Sequence, residues 1–183
     1  NPDIYRFLEA QNVPVIITWA FDPSSDRASI GFDNKAAMRE MALKVIDMGH
    51  RQLGMISAAT ASNDRAAERH HGVQAAMQEK GLPPENLTHI ETIYGIDEGS
   101  AAFGQLMDAP TRPTAVFCGN DVLAAGALCK ARELGLDVPR DVSIIGFDDI
   151  ELARVVHPPL TTVHVPHREM GRLAALALVN LLR

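Results

Sequence analysis

Aromatic residues and cysteines are scarce in this chain, and long apolar runs are missing. Trp, Tyr and Phe together make up 5% of the 183 residues, and the cysteines are Cys118 and Cys129. Every apolar run is far shorter than the roughly 20 residues that span a bilayer, so no membrane span is predicted. The cysteines have no metal-ligand spacing and no nearby histidine. They are predicted to be buried, reduced thiols, which favours a cytoplasmic location.

Positive charge is also in short supply, with 17 Lys and Arg against 23 Asp and Glu and a net charge of -6. DNA and anionic lipids bind clustered basic side chains, so this chain is predicted to bind both poorly by itself. The motifs GxSxG, GxxxxGKS/T and GxGxxG after a strand are absent, so no nucleophile or phosphate loop is predicted. Asp148 and Asp149 are adjacent, but neighbouring strand residues point to opposite faces. The sequence therefore predicts a protein without catalysis or a cofactor, and an α/β enzyme is a remote alternative.

What the chain does contain is a regular alternation of apolar strands and amphipathic helices. The predicted strands are Val13–Trp19, Leu53–Ser57, Thr88–Ile93, Ala115–Cys118 and Val142–Phe147. The predicted helices are 34–48, Asp64–Lys80, Asp97–Met107, Asp121–Leu134 and Arg168–Leu182. Strands separated by helices of this length are typical of βαβ units, so the predicted fold class is α/β with parallel sheets.

Polar side chains follow two of these strands at the point where each strand ends. The run Ala115–Cys118 is followed by Gly119, Asn120 and Asp121, and the run Val142–Phe147 is followed by the two aspartates. In an open parallel sheet, ligands bind outside the carboxyl ends of the strands. The sequence therefore predicts a binding site that contains these polar groups.

Two polar connections, SAATASNDR after Ile56 and HPPLTTVHVPHRE near the C-terminus, suit chain crossings between two lobes. The predicted division has residues 1–60 as the remainder of an N-terminal lobe, 61–162 as a C-terminal lobe, and 163–183 as the return crossing and last helix. The strand around Val15–Ile17 is apolar enough to be buried on both faces, which requires neighbours on both sides. The N-terminal lobe is therefore predicted to be incomplete, and the chain to be a fragment.

Several segments, in their order and spacing, resemble the effector-binding domain of LacI/GalR-type bacterial transcription regulators. They are GHRQLGMI, NDRAAERHHG, NDVLAAGAL, VPRDVSIIGFDD and PPLTTV. The resemblance runs from about Val13 to the C-terminus. It implies a periplasmic-binding-protein-like type I fold with two Rossmann-like lobes, a small-molecule effector in the cleft between them, and a homodimer. It also implies allosteric control, usually repression, of operator DNA binding by a headpiece that this chain does not contain.

A periplasmic sugar-binding protein of an ABC transporter has the same fold and is the alternative. The segments PPLTTV and VPRDVSIIGFDD resemble the regulators more than the transport proteins. The sequence upstream discriminates between them, because a regulator has a helix-turn-helix there and a transport protein has a signal peptide.

The resemblance also predicts ligand-binding residues, led by Asp148, Asn120 and Arg69. Asp148 can accept hydrogen bonds from two adjacent hydroxyl groups, although it could instead cap the following turn, the role expected of Asp149. The Asn120 amide can donate and accept, or it can cap the next helix. The Arg69 guanidinium suits paired oxygen acceptors, with an ion pair away from the ligand as the alternative.

The remaining candidate ligand-binding residues are Tyr94, Arg65, Asn63, Trp19 and Asp33. Tyr94 follows a strand at a place where the family often has a stacking ring, although it could pack beneath the rim. Asn63 and Arg65, where the chain leads into the helix Asp64–Lys80, are expected near the cleft. Trp19 ends the Val13 strand, and Asp33 ends another short strand. This polar set favours a sugar or sugar derivative over a purine. His70 and His71 have no partners at metal-ligand spacing and are predicted to be exposed, so no metal site is expected.

Overall fold

The computed structural model describes residues 2–21 and 27–182, in which helices and strands alternate. The helices are α1 (Pro2–Ala10), α2 (Asn34–Asp47), α3 (Asp64–Glu79), α4 (Ile96–Asp108), α5 (Asp121–Glu133), α6 (Leu152–Val155) and α7 (His167–Leu181). The strands are β1 (Ile17–Thr18), β2 (Ser29–Ile30), β3 (Leu53–Ser57), β4 (Leu87–Glu91), β5 (Ala115–Cys118), β6 (Ser143–Asp148) and β7 (Thr161–His164). Within these described residues, no helix is long and apolar enough to cross a bilayer.

The chain divides into two compact units. The smaller contains residues 1–34 and 166–183, and the larger contains residues 35–165. The predicted boundary at residue 60 differs from this division because it falls inside the larger unit, just after β3, which pairs with both β4 and β5. Helix α2 also belongs to the larger unit. A Cβ at Gly72 of α3 would lie 2.6 Å from the Lys35 carbonyl oxygen, so the α2 and α3 backbones pack too closely for a side chain.

In the larger unit, five strands form one parallel sheet in the order β4-β3-β5-β6-β7. The strands β3 and β5 have the predicted bounds, and every residue of both is buried. A fully buried strand requires helices on both faces of the sheet, which the βαβ connections supply. Because all five strands are parallel, their carboxyl ends meet at one edge.

In the smaller unit, β1 and β2 pair in parallel. The predicted strand Val13–Trp19 is therefore reduced to Ile17–Thr18, the two residues paired with β2. Helix α1 leaves Ile4 and Phe7 exposed, and α7 leaves Leu176 and Val179 exposed. Apolar side chains of both helices therefore lie on the surface of this unit.

Candidate functional site

The carboxyl edge of the larger unit's sheet brings together six of the predicted site residues. Asp148 ends β6, Asn120 follows β5, and Tyr94 follows β4 after two intervening residues. Helix α3 follows β3, so its first turns lie at the same edge and carry Asn63, Arg65 and Arg69. The parallel topology thus gathers side chains that lie far apart in the sequence.

Arg69 is the central charged group at this edge, and its side chain is only 6% exposed. Its Nη1 donates a hydrogen bond to the Gly119 carbonyl oxygen, and its Nη2 lies 3.7 Å from Asp148 Oδ1. The guanidinium carbon lies 3.8 Å from the centre of the Phe147 ring, a cation–π contact. Burial lowers the pKa of Arg69, and the Asp148 carboxylate opposes that change. Arg69 therefore remains charged, as an arginine does in proteins.

Tyr94, Asn63 and Arg65 lie beside this pair. Burial raises the pKa of Tyr94, while the charges of Arg69 and Arg65 and a hydrogen bond from Asn63 lower it. The Asn63 Oδ1 accepts from the Ala66 N–H at 3.1 Å and so caps α3, which leaves the amide nitrogen to bond the phenol. The Arg65 Nε lies 3.6 Å from Asp64 Oδ1 in an exposed ion pair. These residues form a cluster around Arg69 and Asp148.

Asn120 performs the capping role that the sequence left open. Its Oδ1 accepts a hydrogen bond from the Leu123 N–H at 2.9 Å, which satisfies one of the unpaired donors at the start of α5. The cap uses the oxygen, so the Nδ2 donors of this half-buried amide remain for another partner.

The turn that carries Asp148 has an unusual backbone. Asp148 has φ 112° and Asp149 has φ 54°, both in the region that favours glycine. Such conformations cost free energy and persist only where the surrounding structure holds them in place. Residues that adopt them cluster at functional sites. The Asp149 Oδ2 accepts a hydrogen bond from His164 Nδ1 at 2.7 Å, so the two aspartates have different partners.

Two further residues shape this edge: Phe147, which was not predicted as a site residue, and Asp121, which was predicted only as one of the polar groups that follow a strand. Phe147 lies beneath the Arg69 guanidinium, and Asp121 accepts hydrogen bonds from Ile150 and Thr162. In the sequence, Phe147 resembles any apolar strand residue, and an aspartate in the first turn of a helix is expected for the helix dipole alone. The available signal for Asp121 was its place directly after Asn120 at a strand end.

Trp19 and Asp33 lie in the smaller unit. The Trp19 ring is half-buried with its centre 4.6 Å from that of His167, and the Trp19 carbonyl accepts from Asn34 Nδ2 at 2.9 Å. Asp33 is exposed and follows β2 after two intervening residues. Their predicted contact with a ligand stays a prediction.

The cysteine and histidine expectations are corrected in two places. Cys118 is buried as predicted, but Cys129 is exposed on α5. His70 is not fully exposed, because its ring stacks on that of His89 with centres 4.2 Å apart. His71 is exposed, as predicted. Among residues 2–21 and 27–182, no three His, Cys, Asp or Glu side chains form a metal-binding group.

The stacked pair predicts an acid-sensitive stability. Burial, with His89 and His71 nearby, lowers the pKa of His70 to about 4, while the Glu91 carboxylate opposes the change. In the unfolded chain this histidine has an ordinary pKa of about 6.5. Between that value and about 4, the unfolded state therefore binds a proton while folded His70 stays neutral. His70 is therefore expected to reduce stability as the pH falls from about 6.5 towards 4. The measurement is chemical denaturation of wild type and His70→Gln across this range, in which the variant should show a shallower loss.

His71→Gln is the comparison variant on the same helix: it removes a neighbour that lowers the pKa of His70 but keeps His70 and its stacking, so it should flatten the slope less than His70→Gln does. His89 and His50 also have pKa values lowered by burial, so the His70 variant should flatten the dependence without removing it. Equal slopes for wild type and His70→Gln would contradict the prediction.

The family model of the periplasmic binding protein-like domain matches residues 43–183. The chain belongs to this family. The matched region contains every element from β3 to α7, and with it all six site residues of the larger unit. The fold of this periplasmic-binding-protein-like domain is the α/β fold with parallel sheets that the sequence predicted, and that prediction is confirmed.

The chain is similar to curated transcriptional repressors. The chain is 37% identical to the HTH-type transcriptional repressor PurR of Photorhabdus laumondii, over 93% of this chain and 50% of the relative. It is 36% identical to the repressor of the same name from Serratia proteamaculans, with the same coverage. The periplasmic-binding-protein-like domain described above thus spans about half the length of the curated relatives it matches.

Solved structures agree with this assignment. A LacI transcriptional regulator from a Rhodococcus species superposes with a TM-score of 0.88 at 30% identity, covering 99% of this chain and 66% of that one. A LacI-family regulator from Enterococcus faecium, solved with bound ribose, has the same TM-score at 24% identity, covers 100% of this chain and 67% of that one, and shares the fold. The resemblance to LacI-type regulators that the sequence predicted is therefore confirmed.

Proposed function

We propose that this domain is the ligand sensor of a cytoplasmic LacI-type repressor. The observation that carries the proposal is the Arg69–Asp148 pair, held over Phe147 at the carboxyl edge of a parallel sheet, where ligands of such folds bind. The similarity to helix-turn-helix repressors supports regulation over transport and over catalysis.

The proposed mechanism is a two-state switch. An effector changes the balance of two conformations only by the difference between its affinities for them. In a homodimer, such a change alters the spacing of two headpieces and hence their fit to a two-fold-related operator. Binding operator DNA is assigned to those headpieces, since the charge of -6 gives this chain no basic surface excess.

For the effector, a sugar or sugar derivative is the first candidate. The Asp148 carboxylate can accept from two neighbouring hydroxyl groups, and Arg69 and Asn120 can donate to ring and hydroxyl oxygens. These groups match the many donors and acceptors of a sugar.

A purine or similar flat base is the second candidate, and one specific observation favours it. Tyr94 is 42% exposed beside Arg69 and Asp148, so a ring face and a paired donor and acceptor lie together. A flat heterocycle can stack on the phenol while its edge bonds the charged pair.

The test is a melting-temperature screen of the full-length protein against sugars, sugar phosphates, nucleosides and purines. A compound that binds the native state raises the melting temperature with its concentration. A rise with at least one compound, together with its effect on operator binding, supports the proposal. The absence of any rise across all four classes would count against it.

Tyr94→Leu separates the two effector candidates. Stacking of a base on an aromatic ring contributes about 1–3 kcal/mol, so the loss of the ring should weaken a base by about 5-fold to 150-fold. A sugar held mainly by Asp148 and Arg69 should lose less. Tyr94→Phe is the matched control because it keeps the ring, and it should bind a base as wild type does. Affinities measured by calorimetry decide between the two, and an unchanged affinity for a bound base in Tyr94→Leu would contradict stacking.

A further inference from the structure

Asp121 is a carboxylate beside the candidate site that none of the ligand contacts proposed above uses. It is fully buried at the start of α5. Its Oδ1 accepts from the Thr162 hydroxyl at 2.6 Å, and its Oδ2 accepts from the Ile150 N–H at 2.9 Å. The Asp149 N–H donates to the Thr162 Oγ1 at 3.4 Å. Of the two donors to the carboxylate, Ile150 lies in the turn after β6 and Thr162 lies in β7, so Asp121 connects α5 to both.

The turn residues that make these hydrogen bonds, Asp149 and Ile150, directly follow Asp148 in the chain. Asp148 and Asp149 have backbone conformations that a non-glycine residue adopts only when its surroundings hold it there. The Asp121 carboxylate accepts from the Ile150 N–H of the turn and from the Thr162 hydroxyl, whose oxygen in turn accepts from the Asp149 N–H. It therefore holds the segment whose conformation directs the Asp148 side chain.

The neighbouring strand leaves room for this carboxylate. A Cβ at Gly146 would lie 2.3 Å from Asp121 Oδ1 and 2.6 Å from Leu160 Cδ2. The absence of a side chain at this position lets the carboxylate lie against β6 and reach β7. The same close approach explains why the position is a glycine although its φ does not require one.

The donor set also fits an ionised carboxylate. Burial raises the pKa of Asp121, and the hydrogen bonds from Thr162 and Ile150 oppose that rise. An ionised carboxylate accepts at both oxygens and donates at neither, and here both oxygens receive a donor. Loss of one donor would leave a buried oxygen unsatisfied, which is costly.

We infer that Asp121 is a positioning residue, which holds the turn 148–150 against β7 and so sets the place of the Asp148 carboxylate for the effector. Its effect on the effector rests on the proposed function, but its hold on the turn does not. Asp121 needs no contact with the effector itself.

Thr162→Val tests the hold on the turn, with Thr162→Ser as its matched control. Valine has a similar shape but lacks the hydroxyl donor, while serine keeps it. Amide hydrogen exchange by NMR on the full-length chain should be at least about tenfold faster in Thr162→Val at Ile150, whose N–H donates to Asp121. It should be near wild type there in Thr162→Ser, and the β3 amides should stay protected in both. Wild-type protection of the turn in Thr162→Val would overturn the inference.

Asp121→Asn reaches the same interaction from the other side. It keeps the shape but replaces one acceptor oxygen with a donor, so Ile150 and Thr162 can no longer both donate. Faster exchange at the turn is again expected, with the β3 amides protected. If Thr162→Val lowers protection throughout β3, its effect is global, and Asp121→Asn then becomes the test of the hold on the turn. Unchanged exchange at the turn 148–150 in Asp121→Asn would overturn the inference.

Binding of D-ribose and of adenine, measured by calorimetry, tests the effect on the effector. The probe that binds wild type should bind Thr162→Val at least about tenfold more weakly and Thr162→Ser almost normally. Faster exchange with unchanged affinity would overturn the positioning role, since a purely structural contact behaves in that way. If wild type binds neither probe, that result counts against the proposed effector classes, and the exchange data decide whether Asp121 holds the turn.

Discussion

Asp148→Ala is expected to abolish the rise in melting temperature that the effector produces in the wild-type domain. Hydrogen bonds to a charged group contribute about 1.5–3 kcal/mol each, so losing two of them weakens binding by more than a hundredfold. Arg69 would keep its bond to Gly119 and its contact with Phe147, so it would remain in place. The cost in free energy of unfolding should therefore stay within about 1–2 kcal/mol. Thermal melts with and without the compound identified by the screen provide the measurement.

Asp149→Ala is the matched control for this prediction. Asp149 lies in the same turn and also has a positive φ. Its carboxylate accepts a hydrogen bond from His164, whereas that of Asp148 lies beside Arg69. It should therefore retain the ligand-induced rise in melting temperature. A full response in Asp148→Ala, or a lost response in both variants, would remove Asp148 from its proposed role.

Gly99→Ala is expected to destabilise the domain by about 3 kcal/mol, because overpacking against backbone cannot relax. A Cβ at this position of α4 would lie 2.4 Å from the Leu123 carbonyl oxygen and 2.8 Å from the Leu123 Cα. Both atoms belong to the backbone of α5, so the two helices would have to separate. Leu123 lies in the first turn of α5 and donates to the Asn120 cap, so the displacement should extend to the site. Urea denaturation measures the loss.

Gly104→Ala, in the same helix, is the control. A Cβ there would lie 3.3 Å from Lys130 Cε, the far part of a flexible side chain. Since alanine favours a helix over glycine by about 0.5–1 kcal/mol, this variant should be neutral or slightly more stable. Equal free energies of unfolding for the two variants would show that the α4–α5 contact does not require Gly99.

The elements of the larger unit were predictable from the sequence because each depends on a local pattern. The strands Leu53–Ser57 and Ala115–Cys118 are apolar runs bounded by polar residues or glycine, and the observed bounds match. The meeting of Asn120 and Asp148 at one edge followed from parallel pairing. Local patterns of this kind give the positions of polar groups along the sheet but not their hydrogen-bond partners.

The unit boundary and the role of Asp121 could not be predicted, because both depend on contacts distant in sequence. Helix α2 follows β2 directly, but it belongs to the other unit because Gly72 lets α3 pack against it. The hydroxyl that bonds Asp121 lies 41 residues further along the chain. No spacing or periodicity near Gly72 indicates its contact with α2, and none near Asp121 indicates its bond to Thr162.

The fixed position of the Arg69 side chain has a consequence for the entropy of ligand binding. A free arginine side chain loses up to about 2 kcal/mol of rotamer entropy when a ligand immobilises it. Here the Gly119 carbonyl and the Phe147 ring already restrict the guanidinium, so the entropy is lost during folding. Under the proposed function, an effector would meet a preorganised donor, and more of its interaction energy would remain to shift the balance between conformations.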